Sequence, residues 1–211
     1  MTPRTERRLV AGPAGDLVCA LDRPADGPGR GLAVLCHPHP QHGGTLDNKV
    51  VATLARAFVQ AGWRAARFNF RGVGGSGGHW DHGRGEIDDA LAVVQALRDD
   101  AEPLAIGGFS FGGYVASHAA AALNPGALVL IGPATRNFDV APVPAHTLVV
   151  HGEADEVVPL QATLDWARPQ ALPIVVVPGG DHFFHGRLTL LKSLVLRHLG
   201  AAPSELHNTH P

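Results

Sequence analysis

The chain has 211 residues, a length that suits one domain with a sizeable buried core. Apolar residues make up 45% of it and charged residues 17%, proportions that exclude a disordered chain and a coiled coil. Its 17 Lys and Arg residues nearly balance 19 Asp and Glu residues, for a net charge of −2. Because this balance leaves no broad basic field, we expect neither nucleic acid nor a membrane as a partner.

Cysteine usage and hydropathy indicate the cellular compartment of the protein. Cys19 and Cys36 are too few for a disulfide framework, so we expect a reducing compartment in which both are small core residues. The N-terminal segment Met1–Arg8 lacks the apolar stretch of a secretory signal. No window reaches about 18 uninterrupted apolar residues, so we expect no membrane span. These features predict a cytoplasmic protein.

In chain order, the sequence first predicts a β-hairpin and then alternating strands and helices. The runs Arg8–Ala11 and Leu17–Leu21 flank turn residues at Gly12–Gly15. The strands predicted to follow are Gly31–Cys36, Arg64–Asn69, Leu104–Phe109, Ala127–Ile131, Thr147–His151 and Pro173–Val177. The predicted helices are Asn48–Ala61, Glu86–Asp99, Phe111–Leu123, Leu160–Ala167 and Arg187–Leu199. Asp47 is the expected N-cap of the first helix, and Gly62 is its expected stop.

The order of these elements predicts the fold class. Apolar runs without in/out alternation are typical of strands covered on both faces. Strand–helix–strand repetition predicts an α/β protein with a mostly parallel sheet, helices on both faces and the antiparallel hairpin at its N-terminus. No repeat or linker divides the chain, so we expect residues 1–211 to form a single domain with a flexible tail at about 203–211. The short, Pro- and Gly-rich connection Gly132–His146 argues against a lid or cap domain and favours an open site.

The motif that carries the chemistry is G-x-S-x-G at Gly108–Gly112, where a buried strand runs directly into a helix. A serine hydroxyl is a weak nucleophile and must stand clear of its neighbours beside a base. A sharp strand-to-helix turn lifts the Ser110 side chain above the sheet, and Gly108 and Gly112 relieve crowding in that turn. Ser110 is therefore the predicted nucleophile.

An orienting acid and then a base are expected to follow the serine. Asp155 lies four residues beyond a predicted strand end, at the sheet edge that also holds Ser110 if the strands are parallel, and Glu153 is its alternative. His182 follows the last predicted strand in a loop before the final helix, and His185 is the nearest rival. The predicted geometry has Asp155 holding one ring nitrogen of His182 while the other nitrogen takes the serine proton.

An oxyanion hole requires backbone N–H donors aimed at the reacting oxygen. One predicted donor is Phe111, immediately after the nucleophile. The second is expected from the loop after the first central strand, where Pro38 and Pro40 have no N–H to offer. That leaves His39 and Gln41, and we choose His39.

Other residue groups have competing interpretations. His37, His39 and His42 form a candidate zinc site, but the intervening prolines restrict how the rings converge, and we predict no metal. The glycine-rich run Arg71–Gly78 resembles a phosphate-binding loop yet lacks its lysine, which favours a flexible loop at the sheet edge. Ser76 lies in that run without a nucleophile elbow, so we do not assign it a catalytic role.

The order Gly-Phe-Ser110-Phe-Gly, His-Gly-Glu-Ala-Asp155 and Gly-Asp-His182-Phe-Phe resembles the α/β-hydrolase superfamily over essentially the whole chain. The segments His37-Pro-His-Pro-Gln-His-Gly-Gly and Phe68-Asn-Phe-Arg-Gly-Val-Gly-Gly-Ser look like a narrower group of small, lidless bacterial serine hydrolases. This group is similar to dienelactone hydrolases and to acyl-peptidase catalytic domains. Dienelactone hydrolases use cysteine where this chain has serine, and the oxyanion loop here is not of the glycine-rich lipase type.

The resemblance implies the same triad of Ser110, Asp155 and His182, with His39 and Phe111 as oxyanion donors. We expect hydrolysis of a small-molecule ester or thioester through an acyl-enzyme, with no cofactor. The sequence does not indicate an oligomeric state. The candidate walls of the acyl pocket are Trp80, Phe138 and Phe183–Phe184. Two alternatives stay open, namely a non-catalytic hydrolase-fold protein that binds a ligand or partner, and a peptidase.

Overall fold

The computed structural model describes residues 4–200, within which eight strands form one sheet flanked by five helices. The strands are β1 Arg4–Gly12, β2 Gly15–Arg23, β3 Leu32–Cys36, β4 Arg64–Phe68, β5 Leu104–Phe109, β6 Ala127–Ile131, β7 Leu148–Gly152 and β8 Ile174–Val177. The helices are α1 Lys49–Gln60, α2 Arg84–Leu97, α3 Phe111–Leu123, α4 Leu160–Ala167 and α5 Leu188–Gly200, with 3₁₀ turns at Pro40–His42 and Arg168–Gln170. The predicted tail at about 203–211 lies outside the described residues.

The strand order across the sheet is β1-β2-β4-β3-β5-β6-β7-β8. β1 pairs antiparallel with β2, with Gly12 opposite Gly15 at the turn, and β2 pairs antiparallel with β4. The remaining pairs, from β4–β3 to β7–β8, are parallel. The predicted α/β class and the N-terminal antiparallel hairpin are therefore confirmed. Because parallel strands share one direction, the segments that follow β5, β7 and β8 emerge at the same edge of the sheet.

Helices cover both faces of this sheet, as the uniformly apolar strands predict. On one face, Val93 of α2 and Val115 of α3 belong to the same apolar cluster as Ile106 of β5. On the other face, Phe58 of α1 and Leu191 of α5 belong to a second cluster. Leu104 and Ile106 of β5 belong to the first cluster, Ala105 and Phe109 belong to the second, and every residue of the strand is buried. This double burial fixes the position of the strand that leads into the site.

The N-cap of α1 is Asn48, so the prediction of Asp47 for this role is wrong. The Asn48 side chain accepts a hydrogen bond from the N–H of Val50 at 2.9 Å. The Asp47 carboxylate forms ion pairs with Arg7 at 2.9 Å and with Arg67 at 3.2 Å. Those two cations draw the Asp47 side chain away from the helix end, and the neighbouring amide caps the helix in its place.

Other element boundaries differ modestly from the predictions. The hairpin strands are longer than predicted because most of β1 is exposed and therefore carries a weak hydropathy pattern. α2 begins at Arg84 rather than at Glu86, whose carboxylate accepts the backbone N–H groups of Asp81 and Gly83. Gly62 follows the end of α1 with φ 85°, the left-handed conformation expected where a helix stops.

The connection between β6 and β7 contains no helix, as predicted for Gly132–His146. No lid is therefore inserted at this point of the described chain. Among the helices between residues 4 and 200, none is both long and apolar enough to cross a membrane.

Candidate active site

Ser110 lies at a sharp turn between β5 and α3, with φ 56° and ψ −118°. A non-glycine residue in this region costs about 1–3 kcal/mol of backbone strain, so its surroundings must hold it there. The Ser110 N–H donates to the carbonyl of Ile131 at 2.9 Å. The Ser110 carbonyl accepts the N–H groups of Gly113 at 2.9 Å and of Ala134 at 3.1 Å. These three bonds fix the elbow on the edge of the sheet.

The two glycines of the motif are required for different reasons. A Cβ atom at Gly108 would overlap the carbonyl of Gly112, so the first glycine relieves crowding inside the turn, as predicted. A Cβ atom at Gly112 would instead overlap the carbonyl of Cys36 and lie 2.6 Å from the carbonyl oxygen of His37. Gly112 therefore allows the loop after β3 to cross directly over the start of α3.

The structure brings Ser110, His182 and Asp155 together in one hydrogen-bonded chain. The Ser110 Oγ lies 3.0 Å from His182 Nε2, and His182 Nδ1 lies 2.7 Å from Asp155 Oδ2. A carboxylate only accepts hydrogen bonds, so we assign the ring proton of neutral His182 to Nδ1. Nε2 is then free to accept the serine proton. The exposed fractions of the three residues are only 8%, 4% and 6%, in the order Ser110, His182, Asp155.

The Asp155 carboxylate accepts three hydrogen bonds and lies beside a second histidine ring. Its Oδ1 accepts the backbone N–H groups of Val157 at 2.9 Å and Val158 at 2.8 Å. Its Oδ2 accepts from His182 and lies 3.5 Å from Nε2 of His151, a fully buried residue of β7. The sequence predictions missed His151, although a histidine near the end of an otherwise apolar strand is a visible signal.

The rival acid and base lie elsewhere. Glu153 accepts the backbone N–H of Gly179 at 2.9 Å instead of a ring nitrogen. His185 is 73% exposed and pairs with Asp181 at 2.7 Å. Hydrogen bonds from the His185 backbone and side chain lower the pKa of Asp181 below its ordinary value. Neither Glu153 nor His185 contacts the Ser110–His182–Asp155 chain.

His37 holds the loop that contributes the predicted oxyanion donor. Its Nδ1–H donates to the carbonyl of Pro38 at 2.6 Å, and its Nε2 accepts the backbone N–H of Phe70 at 3.1 Å. Desolvation by burial lowers the pKa of His37 to about 4, so the ring is neutral near pH 7. A neutral imidazole is what these two opposite roles require, one nitrogen donating and the other accepting.

The two proposed oxyanion donors lie on facing segments of the site. The N–H groups of His39 and Phe111 donate to no protein acceptor among residues 4–200. The His39 ring lies 5.2 Å from the Phe111 ring, which places the loop beside the start of α3. Unpaired N–H groups at the start of a helix and in the facing loop are suited to binding a developing negative charge.

The histidines of this loop are engaged in packing rather than in a ligand cluster. Both ring nitrogens of His37 have protein partners, and the His39 and His42 rings stack with centroids 4.4 Å apart. Burial and the neighbouring His42 lower the pKa of His39. Within residues 4–200, no group of three or more His, Cys, Asp or Glu side chains is arranged to hold a metal ion.

Aromatic side chains line two sides of the site. Trp80 and Phe138 pack on Phe111 with ring centroids 5.2 and 5.0 Å away, and both are half-buried. On the other side, Phe183 lies edge-on to the His182 ring at 5.1 Å and is 45% exposed. Phe184 is fully buried in the core, so its prediction as a pocket wall is wrong.

The remaining candidates are structural. Arg71 forms a buried ion pair with Asp89 at 2.8 Å, and the pair raises the pKa of Arg71. Ser76 donates to the Asn69 carbonyl at 2.9 Å and accepts the N–H of Val18 at 3.0 Å. Both contacts tie the glycine-rich loop to the sheet edge and leave no nucleophile there.

A parallel sheet with a serine elbow after its central strand defines an α/β-hydrolase. The Hydrolase_4 family model, described as "Serine aminopeptidase, S33", matches residues 30–145 of the chain. XC6422 from Xanthomonas campestris, an α/β serine hydrolase without a lid, is 39% identical, with a TM-score of 0.88 over 96% of this chain and 99% of that one. An α/β serine hydrolase homologue from Coxiella burnetii is 37% identical, with a TM-score of 0.81 over 92% and 97%.

The chain is also similar to a curated protein of uncharacterised function. Protein RP471 from Rickettsia prowazekii is 28% identical over 210 residues, which cover 87% of this chain and 84% of that protein. The chain belongs to the α/β-hydrolase superfamily, in its lidless serine hydrolase group. Membership supports hydrolase activity in general.

Proposed function

We propose that the protein hydrolyses an ester or thioester of a small molecule, with Ser110 as nucleophile, His182 as general base and Asp155 as orienting acid. The observation that carries this proposal is the continuous hydrogen-bonded chain, 3.0 Å from Ser110 to His182 and 2.7 Å from His182 to Asp155. A surface serine without a base has no comparable activation. The proposed location is the cytoplasm, in keeping with two buried free cysteines.

In the proposed reaction, the Ser110 oxygen attacks the substrate carbonyl carbon while its proton passes to His182 Nε2. The tetrahedral intermediate collapses, its bond to the leaving oxygen or sulfur breaks, and His182 returns the proton to that atom. Water then attacks the acyl-serine with His182 again as base. The second intermediate releases the carboxylic acid and restores Ser110. Asp155 keeps the imidazolium oriented and compensates its charge throughout.

The negative charge of both intermediates rests on the N–H groups of His39 and Phe111 in this proposal. Neither group has a protein acceptor within residues 4–200, so both are free for the substrate oxygen. A single donor of this kind is worth about 10²–10³ in kcat. His37 hydrogen-bonds the Pro38 carbonyl and the Phe70 N–H, and in this proposal it holds the loop that carries the His39 donor before the substrate binds.

The surroundings of Ser110 suggest how the substrate lies. Trp80 and Phe138, which pack on Phe111, form the proposed wall for the acyl group. A cavity of about 470 Å³ beside Phe183 offers room for the leaving group, and its lining includes Lys49 and His185. Phe183 connects this cavity to the proposed base, because its ring lies edge-on to the His182 ring at 5.1 Å.

A peptidase is the second candidate, favoured by the description of the matching family model as a serine aminopeptidase. Amide hydrolysis needs the same nucleophile but stronger general-acid assistance to the leaving amine. A substrate panel with one acyl group and three leaving groups separates the options: a 4-nitrophenyl ester, an alkyl thioester and a 4-nitroanilide. We expect ester and thioester turnover above anilide turnover in the wild-type protein.

The same panel tests the assignment of residues. Turnover is expected to disappear in Ser110→Ala and to persist in Ser193→Ala, a matched change at an exposed serine of α5. Turnover that survives in Ser110→Ala would overturn the proposed nucleophile. A folded wild-type protein that hydrolyses no member of the panel would favour a non-catalytic binding role.

A further inference from the structure

His151 is a fully buried residue that the reaction described above does not use. It is the fourth residue of β7, and its exposed fraction is 0%. Its Nε2 lies 2.8 Å from the Val158 carbonyl and 3.5 Å from Asp155 Oδ2, while its Nδ1 has no hydrogen-bond partner among the described residues. The ring thus faces the turn that carries the orienting acid.

The protonation of this ring follows from its neighbours. Burial lowers the pKa of His151 below its ordinary value, although the Val158 carbonyl and Asp155 act in the opposite direction. Because burial is the largest effect, the ring is neutral and carries one N–H. Both oxygens that face Nε2 can only accept a hydrogen bond, so the proton lies on Nε2. The titratable groups that act on His151 are Asp155 and His182.

The unpaired Nδ1 argues that His151 is more than a packing residue. A buried acceptor without a partner destabilises the folded protein, and an apolar side chain in this position would avoid that cost. The compensation is the N–H donated to the Val158 carbonyl, in the turn that carries Asp155. That donation is a function that leucine or phenylalanine at this position could not perform.

We propose that His151 is a positioning residue, which fixes Asp155 so that its Oδ2 points at His182. The inference rests on the proposed function of the Ser110–His182–Asp155 chain. The Val158 carbonyl is anchored by His151, while the Val158 N–H binds Asp155 Oδ1 at 2.8 Å. One imidazole therefore holds the turn through the Val158 carbonyl, and its ring lies beside Oδ2, the oxygen that accepts from His182.

Two matched variants separate the donor from the bulk of the ring. In His151→Gln, the side-chain amide nitrogen reaches the place of Nε2 and can still donate to Val158. In His151→Asn, the amide reaches only the place of Nδ1, so the donor to Val158 is lost. Both variants remove the imidazole and both are polar, so a general effect on folding is shared between them.

We expect kcat for the 4-nitrophenyl ester to fall about 10–100-fold in His151→Asn, because a displacement of about 1 Å in a catalytic group has effects of this size. KM should change less than about twofold, since His151 does not contact the substrate. His151→Gln should recover most of the loss. Equal kcat values in the two variants, whether both normal or both low, would overturn the proposal.

A second measurement does not depend on turnover. In ¹H and ¹⁵N NMR of the free wild-type protein, we expect His151 to be the Nε2–H form and the His182 Nδ1 proton to resonate far downfield. The His182 signal should move upfield or broaden in His151→Asn and remain in His151→Gln. An Nδ1–H form of His151, or a His182 signal unchanged in His151→Asn, would overturn the proposal. If the wild-type protein lacks turnover, the proposed function fails while this experiment still decides the role of His151.

Discussion

Gly112→Ala perturbs the contact between the oxyanion loop and the nucleophile elbow without removing any functional group. The new Cβ atom would overlap the Cys36 carbonyl and lie 2.6 Å from the carbonyl oxygen of His37. Both oxygens are backbone atoms, so neither can rotate away. The loop after β3 and the start of α3 must therefore separate by about 1 Å, a displacement that is large on the scale of catalytic geometry.

The size of the effect follows from the groups on either side of this contact. His39 lies two residues beyond His37 in the loop, and Phe111 precedes Gly112 in the helix, so the separation pulls the two proposed donors apart. Loss of one such donor lowers kcat by about 10²–10³. Overpacking of this kind costs about 1–3 kcal/mol in the free energy of unfolding. At this chain length, each kcal/mol corresponds to about 2–4 °C in Tm.

The assay compares kcat for a short-chain 4-nitrophenyl ester with Tm from circular dichroism. Gly126→Ala is the matched control, because its Cβ atom would meet nothing nearer than the Leu104 carbonyl oxygen at 3.8 Å. We expect the control to keep both kcat and Tm. A Gly112→Ala protein that loses stability but retains kcat within about twofold of wild type would refute the reasoning, since the donors would then be independent of this contact.

Three further predictions concern charge and protonation. Burial lowers the pKa of His37 to about 4, against 6.5 for the ordinary side chain, so the unfolded state binds more protons between these pH values. The free energy of unfolding should therefore decrease by about 3 kcal/mol as the pH falls from 6.5 to 4. Denaturant titrations should show a flatter pH dependence in His37→Gln but not in the exposed control His79→Gln. Asp155→Asn should lower kcat about 10⁴-fold with Tm nearly unchanged, because the amide oxygen can still accept the backbone N–H groups; a normal kcat would contradict the orienting role. Asp89→Ala should cost about 3–5 kcal/mol of unfolding free energy by leaving the Arg71 charge buried, and a loss below about 1 kcal/mol would contradict that account.

The fold and the residues of the hydrogen-bonded chain could be predicted because their signals are either local sequence motifs or positions in the order of strands and helices. Ser110 is marked by glycines whose absence of a Cβ the turn requires, within a strand–helix context visible in the sequence. Asp155 and His182 are marked by their positions after apolar strands. Once the strands are parallel, those positions share one sheet edge, so no distance has to be known in advance.

The features that escaped prediction depend on contacts between distant segments. Asp47 and Asn48 are equally good N-caps by composition, and only the approach of Arg7 and Arg67 decides between them. The hydrogen bond that His37 Nε2 accepts comes from the N–H of Phe70, 33 residues further along the chain.

Adjacent aromatic residues show the same limit. Phe183 and Phe184 are alike in sequence, but Phe184 has φ 55° and turns into the core, whereas Phe183 remains at the surface. His151 was overlooked because its partner carbonyl belongs to a turn whose shape no local pattern specifies.

The most direct test of the central claim is covalent labelling with a fluorophosphonate probe, followed by intact-mass and peptide mass spectrometry. We predict one adduct per chain, on the peptide containing Ser110, with labelling abolished in Ser110→Ala, much slower in His182→Ala and unchanged in Ser193→Ala. This pattern requires a single activated serine with His182 as its base. A folded wild-type protein that remains unlabelled, or an adduct on any other residue, would contradict the account.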